Sequence, residues 1–180
     1  MTLLILGLAL WVVPHVLKRL APELRAGWGE RAKGPLSLAM VLGIVLMVIG
    51  YRAADGAFFW GRTPAMAGIN NLLMLASIYL FAASGMKTAV ARKMRHPMLW
   101  GTVLWAAAHL LVNGDVPSFV LFGGIGLWAL WSMLLINRGG PWVVPAAKPA
   151  KFEAMALAGT LIVYGAIAGI HTWLGVPTFG

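Results

Sequence analysis

Four histidines and no cysteine set the chemistry open to this 180-residue chain. Without thiols there is no disulfide, no Cys-ligated zinc, no iron–sulfur cluster and no c-type haem attachment. A metal would have to take His, Asp, Glu, Asn, Met or carbonyl oxygen. The most informative stretch is RHPMLWGTVLWAAAHLLVNGD, residues 95–115. His109 lies inside its apolar run, with Trp105 one turn before and Asn113 one turn after, so the three share a helix face. A neutral imidazole offers one donor and one acceptor, which suits a haem iron or another metal. A hydrogen bond to a neighbouring helix would also account for the ring.

His15 repeats the pattern. Trp11 precedes it by four residues, and Lys18 and Arg19 follow by three and four. It is either an interfacial histidine beside snorkelling bases or a ring flanked by cations for an anionic group such as haem propionates. His96 belongs to Arg95-His96-Pro97, where Pro97 suits a first helical turn. Thirteen residues at 100° each turn His96 away from the His109 face, so a structural cap or surface role is expected. His171, in Ile170-His171-Thr172-Trp173, suits an aromatic membrane interface and could also reach a site with His109. Asn70, Asn71, Asn113, Asp115 and Ser118 could line a polar vestibule, although Asn113-Gly114-Asp115 reads more simply as a tight turn with Ser118 as a cap. Motifs of soluble enzymes are absent: no GxSxG, no P-loop, no HExxH and no paired intramembrane carboxylates.

The elements that hold these residues are membrane helices. The chain is 61% hydrophobic and 11% charged, with mean hydropathy +0.85. A soluble domain carries about 25% charge. One all-α polytopic bundle is expected over residues 1–180, with spans near 2–17, 35–51, 65–86, 97–112, 116–136 and 154–174. The first has no basic leader or small-residue cleavage site and reads as a retained helix. The net charge of +9 does not point to nucleic acid, because the bases follow the loops. The successive loops hold five, two, four, none and three Lys or Arg, and the tail none. This alternation puts the basic loops in the cytoplasm and both termini on the outer side of a six-helix bundle. The lipid bilayer is the expected environment. Glycines mark expected close helix contacts: Gly123, Gly124 and Gly126 in span 5, and Gly159, Gly165 and Gly169 in span 6.

Several pieces together resemble the NnrU family of bacterial membrane proteins over almost the whole chain. They are His15 with Lys18 and Arg19; Gly29-Glu30-Arg31; Gly50-Tyr51; Arg95 through Gly101; Leu104 through Leu110; Asn113-Gly114-Asp115; and Leu121-Phe122-Gly123. That resemblance implies a multi-pass protein of the bacterial inner membrane, in a family named for its association with nitrite and nitric oxide metabolism in denitrifiers. The family is similar to 15-cis-zeta-carotene isomerase, a membrane enzyme that uses haem b. By that likeness His15 and His109 are the axial iron ligands. Trp11, Lys18, Arg19, Trp105 and Asn113 surround the cofactor, and a small or lipophilic substrate is a candidate partner. Ala106 stands where the isomerase has a cysteine used in a redox-linked ligand change, so this chain cannot repeat that switch. Whether it is an enzyme stays open, as does its oligomeric state.

Two axial ligands need Cα atoms about 12 Å apart. If span 1 ends at Lys18, His15 lies about 5 Å inside the membrane and about 20 Å from the depth of His109. If the helix continues towards Leu24, His15 sits about 9 Å deeper and the pair becomes feasible. By depth, His171 is the alternative partner of His109. The 16-residue fourth span is short, about 24 Å, which suggests local thinning or a buried helix. Arg95-His96-Pro97 followed by Gly101 also resembles a motif of isoprenylcysteine carboxyl methyltransferases, membrane enzymes that use S-adenosylmethionine, although their acidic, aromatic C-terminal portion is missing here. A non-catalytic assembly or transport role finds no broken-helix pair or intramembrane carboxylate in its favour.

Overall fold

The computed structural model describes residues 1–176, 178 and 179. Six apolar helices dominate it: α1 (Thr2–Leu20), α2 (Lys33–Arg52), α3 (Pro64–Met86), α4 (Pro97–Val112), α5 (Val116–Arg138) and α6 (Lys151–Trp173). Five are long and apolar enough to cross a membrane, and α4, with 16 residues, is shorter. The architecture is an all-α polytopic bundle. Most of each helix surface is apolar and uncovered by protein, as hydrocarbon solvent permits.

The helices form an open arc in the order α2, α1, α5, α4, α3, α6. The α1–α2 seam is the closest. A Cβ on Gly7 would stand 2.7 Å from the Gly43 carbonyl oxygen, and one on Gly50 would collide with the Leu4 backbone. Only glycine allows backbones this near. In α5, Gly124 meets Leu8 and Gly126 meets Ala106, as expected. The other expected glycine contacts are corrected: Gly123, Gly159, Gly165 and Gly169 have nothing within 4 Å of a built Cβ. Helix α6 has its main seam with α3 and leaves Gly159, Gly165 and Gly169 facing open space. Ser77 ties α3 to α4 by donating to the Gly101 carbonyl at 2.8 Å in the buried seam. The short α4 is flanked by α3 and α5 and buries Gly101, Ala106 and Ala108.

Helix α1 runs through Lys18 and Arg19 to Leu20, three residues past its expected end, and breaks at Ala21 (φ −136°). The break precedes Pro22, whose ring disfavours a helical residue before it. A short helix, Pro22–Gly27, follows. Inside α5, residues Phe119–Gly123 are wound as a π-helix. An expectation of helices alone is also corrected: Phe58–Trp60 (β1) pairs antiparallel with Gly114–Asp115 (β2). The Trp60 ring lies where a Gly114 side chain would be. Its indole donates to the Leu110 carbonyl at 3.1 Å, satisfying one of the orphan acceptors at the end of α4. Asn113-Gly114-Asp115 is thus strand edge and helix cap rather than a free turn: Asp115 Oδ1 accepts from the Ser118 amide at 2.7 Å.

The bundle has two chemically distinct ends. One bears this ribbon and, of the bases, Arg52 and Arg62. The other bears the remaining twelve of the fourteen Lys and Arg residues. At this basic end Arg95 donates to the carbonyls of Ile136 (3.2 Å) and Gly140 (2.7 Å), holding α4 against the exit of α5.

Gly50→Leu is expected to force α1 from α2 and destabilise the fold by about 1–3 kcal/mol, the usual cost of overpacking. Gly165→Leu on the open face of α6 should change the thermal unfolding midpoint little. Thermal unfolding of both variants in nanodiscs checks the contrast.

Candidate functional site

Three histidines inside the bundle share one local geometry. Nδ1 of His15 lies 2.6 Å from the Trp11 carbonyl, Nδ1 of His109 lies 2.8 Å from the Trp105 carbonyl, and Nδ1 of His171 lies 2.9 Å from the Ile167 carbonyl. A carbonyl only accepts, so each Nδ1 carries a proton, and in the neutral ring Nε2 is then the atom with the lone pair. No protein donor reaches those Nε2 atoms among the described residues. This is the tautomer and tether by which proteins present imidazole to a metal. His96 differs: its Nε2 donates to Asn137 Oδ1 at 2.8 Å across to α5, the structural role its place in the Arg-His-Pro corner suggested.

Three cavities run along the inside of the arc. The one at the ribbon end is about 600 Å³ and is lined by His109, His171, Asn70, Asn71, Asn113 and both ribbon-end arginines, among others. The central one, about 400 Å³, also contains His109 and His171, with Trp11, Trp105 and Phe122. The one at the basic end, about 660 Å³, holds His15, Lys18 and Arg19, with Trp11, Trp105 and Trp128. Trp11, Trp105 and Ile125 line both of the last two and so form the partition between them. His109 and His171 therefore share two cavities, while His15 faces the adjoining one.

Depth follows from the rings beside each histidine. His109 stacks on Phe122 at 4.6 Å and 26°, with Trp105 at 4.9 Å. His15 packs on Trp11 at 4.3 Å and edge-on to Trp128 at 4.8 Å. Phe122 and Trp128 are six residues apart on α5, about 9 Å of helix. His15 is thus nearer in depth to His109 than an α1 ending at Lys18 would place it. The Trp-x-x-x-His pattern has a physical meaning in both helices: the tryptophan carbonyl fixes the ring one turn on, and the indole forms its wall.

The other expected site residues are accounted for. Asn113 Nδ2 donates to the His109 carbonyl at 2.9 Å and its side chain faces the ribbon-end cavity. Lys18 and Arg19 are exposed at the mouth of the basic-end cavity, with no acidic partner among the described residues. Asn70 and Asn71 line the ribbon-end cavity, whose wall is mostly apolar. Ser118 does not: it is fully buried and bonds Tyr51 Oη at 2.8 Å. Sequence reasoning did not assign site roles to Phe122 and Trp128. Phe122 lies in the π-helical turn, and π-bulges often sit at functional sites. The indole Nε1 atoms of Trp11 and Trp128, beside His15, are buried without an acceptor.

Ala106 is 4% exposed, and a Cβ built on Gly126 would approach its methyl to 3.1 Å. Among the described residues no cluster of three His, Asp or Glu could hold a bare metal ion. The nitrogen donors that face the cavities are the imidazoles of His15, His109 and His171.

Residues 3–178 match the family model described as NnrU protein. The chain belongs to the NnrU family. No curated protein and no solved structure matches it. The match covers every helix, so the three tethered histidines all fall within the region of this NnrU protein that the family model covers.

Tyr51→Phe and Ser118→Ala should each cost about 1 kcal/mol by breaking the hydrogen bond that joins α2 to the start of α5. The double variant should cost little more than either, and additive losses in a thermal double-variant cycle would show that the bond contributes nothing.

Proposed function

We propose that this NnrU protein is an integral membrane haem b-binding protein in which His109 supplies one axial nitrogen. The observation that carries this is the set of membrane-embedded imidazoles, each with Nδ1–H tied to a carbonyl and Nε2 unsatisfied beside a cavity. A neutral, proton-free nitrogen in an apolar setting is what an axial haem ligand requires. His15 supplies the second nitrogen. Its support is the resemblance to the zeta-carotene isomerase type, Lys18 and Arg19 at the mouth of its cavity as propionate partners, and the two orphan indole donors beside it. A second reading pairs His109 with His171, and the shared cavities favour that one. Bound haem would supply one-electron redox chemistry or small-molecule binding. The protein contributes the ligands, the aromatic walls and exclusion of water. A link to nitrite and nitric oxide metabolism comes from the family resemblance. The absence of a thiol at Ala106 weighs against isomerase-type ligand exchange. Arg95 and His96 clamp α4 to α5, a structural role that weighs against the methyltransferase alternative. The positive-inside pattern supports a basic end in the cytoplasm with both termini outside, and the family resemblance supports the bacterial inner membrane.

Haem content by pyridine haemochrome, measured on protein from haem-supplemented cells, tests the proposal. His109→Ala should lose the cofactor, His15→Ala should lose most of it, and His171→Ala and His96→Ala should keep it. Loss in His171→Ala with retention in His15→Ala would move the second ligand to α6. Full occupancy in His109→Ala would overturn the assignment. Arg62→Cys, in this cysteine-free chain, should label with impermeant maleimide from outside the cell, and Lys93→Cys should not.

A further inference from the structure

The ribbon end of the bundle keeps only two of the fourteen bases, Arg52 and Arg62. Both line one cavity, the ribbon-end one of about 600 Å³. They reach it from different elements. Arg52 is the last residue of α2, and Arg62 lies in the connection from β1 to α3. A base that snorkels does so towards water, whereas two that line the same cavity set a positive field inside it. The acids of this end are placed otherwise. Neither Asp55 nor Asp115 lines the cavity, and Asp115 Oδ1 is used on the Ser118 amide. Arg52 makes no ion pair among the described residues.

Charge and wall together narrow what fits. No carboxylate of the described residues lines the cavity. A cleft lined by one sign of charge, with low-dielectric walls, focuses the field and concentrates counter-ions. The rest of the wall is mostly apolar, with Val48, Met74, Ile167 and Ala168 among its residues. A hydrated inorganic anion gains nothing from such a wall, whereas an apolar body does. The volume suits a small organic molecule. A guanidinium also meets a carboxylate with two parallel N–H donors, a match of shape as well as charge.

We propose that the ribbon-end cavity is a binding site for the carboxylate of an apolar molecule. The head meets the Arg52 guanidinium, Arg62 adds to the field, and the apolar body lies against Val48 and Ala168. Two sources share that chemistry. One is a free organic acid held beside His109. The other is haem itself, whose propionates would turn to Arg52 if His109 and His171 were the axial pair. The site goes beyond the functional proposal, because it rests on the placement of the arginines and not on iron.

The test is equilibrium binding of radiolabelled octanoate to the full chain in phosphatidylcholine nanodiscs, against octylammonium as a cation with the same length of tail. The haem spectrum is recorded on the same samples. Saturable octanoate binding is expected, about tenfold or more tighter than octylammonium and weakened by salt. Arg52→Gln should weaken octanoate about tenfold, the loss of one charge-assisted hydrogen-bond partner. Arg52→Glu should reverse the preference, and its binding of octylammonium then shows that the variant is folded. Equal affinity for the two probes, no saturation beyond empty nanodiscs, or an unchanged preference in Arg52→Glu overturns the proposal. The two probes on the unaltered chain need no variant to fold. Octanoate bound by haem-loaded and haem-free protein alike identifies a free acid as the occupant. Octanoate excluded by haem but not by haem dimethyl ester, which has no free carboxylate, identifies the propionates. A colourless protein that prefers octanoate would refute the haem reading alone. Haem retained, with no octanoate preference in loaded or haem-free protein, would refute the carboxylate site alone.

Discussion

A polar ring in hydrocarbon must have its N–H satisfied, and here the backbone one turn earlier does it. That single bond, imidazole Nδ1–H to the carbonyl four residues back, recurs at His15, His109 and His171. It has two consequences. It makes the histidine tolerable inside a membrane helix, and it points the remaining lone pair outward from the helix with no partner of its own. The rest of the architecture follows from giving those lone pairs somewhere to face. The helices cannot collapse on one another around them, so the arc keeps cavities along its inner side. Bulky aromatic rings then shape the walls.

Close packing is concentrated elsewhere. Backbone-to-backbone approach at Gly7, Gly43 and Gly50 welds α1 to α2, and the Ser77–Gly101 bond with the small face of α4 welds α3 to α4. Helix α5 joins the two pairs, and its π-turn rotates Phe122 onto His109. The result is a rigid back and an open front. Polar bonds at the two ends set the register: Trp60 and Asp115 at one, Arg95 and His96 at the other.

The membrane helices were legible because hydropathy is a property of each segment alone. All six helices lie where the apolar runs do, to within a few residues at their ends. The shared face of Trp105, His109 and Asn113 followed from the 3.6-residue period, and the structure keeps it. What depends on partners far along the chain was not legible. Glycine spacing suggests packing in span 6, but the main seam of α6 is with α3 and its glycines have nothing within 4 Å of a built Cβ. The ribbon of residues 58–60 and 114–115 joins short segments that carry no periodic signal. Asp115 reads as a turn residue and Ser118 as a cap, whereas Asp115 is the cap and accepts from the Ser118 amide. The polar vestibule and the turn were weighed as rivals, and the structure divides their residues: Asn70, Asn71 and Asn113 on the cavity, Asp115 in a cap, Ser118 in the α2–α5 seam. The ring next to a histidine, Phe122 or Trp128, is set by helix order in the bundle, which no local pattern encodes.

The central claim is that a neutral imidazole nitrogen of His109 is held ready for iron. Electron paramagnetic resonance of the oxidised protein, purified from haem-supplemented cells, tests it most directly. The account predicts a low-spin ferric signal of a haem with two histidine nitrogen ligands, and its disappearance in His109→Ala, which loses the haem. A ferric signal unchanged by that substitution, or fully haem-supplied protein with no ferric haem signal, would contradict it.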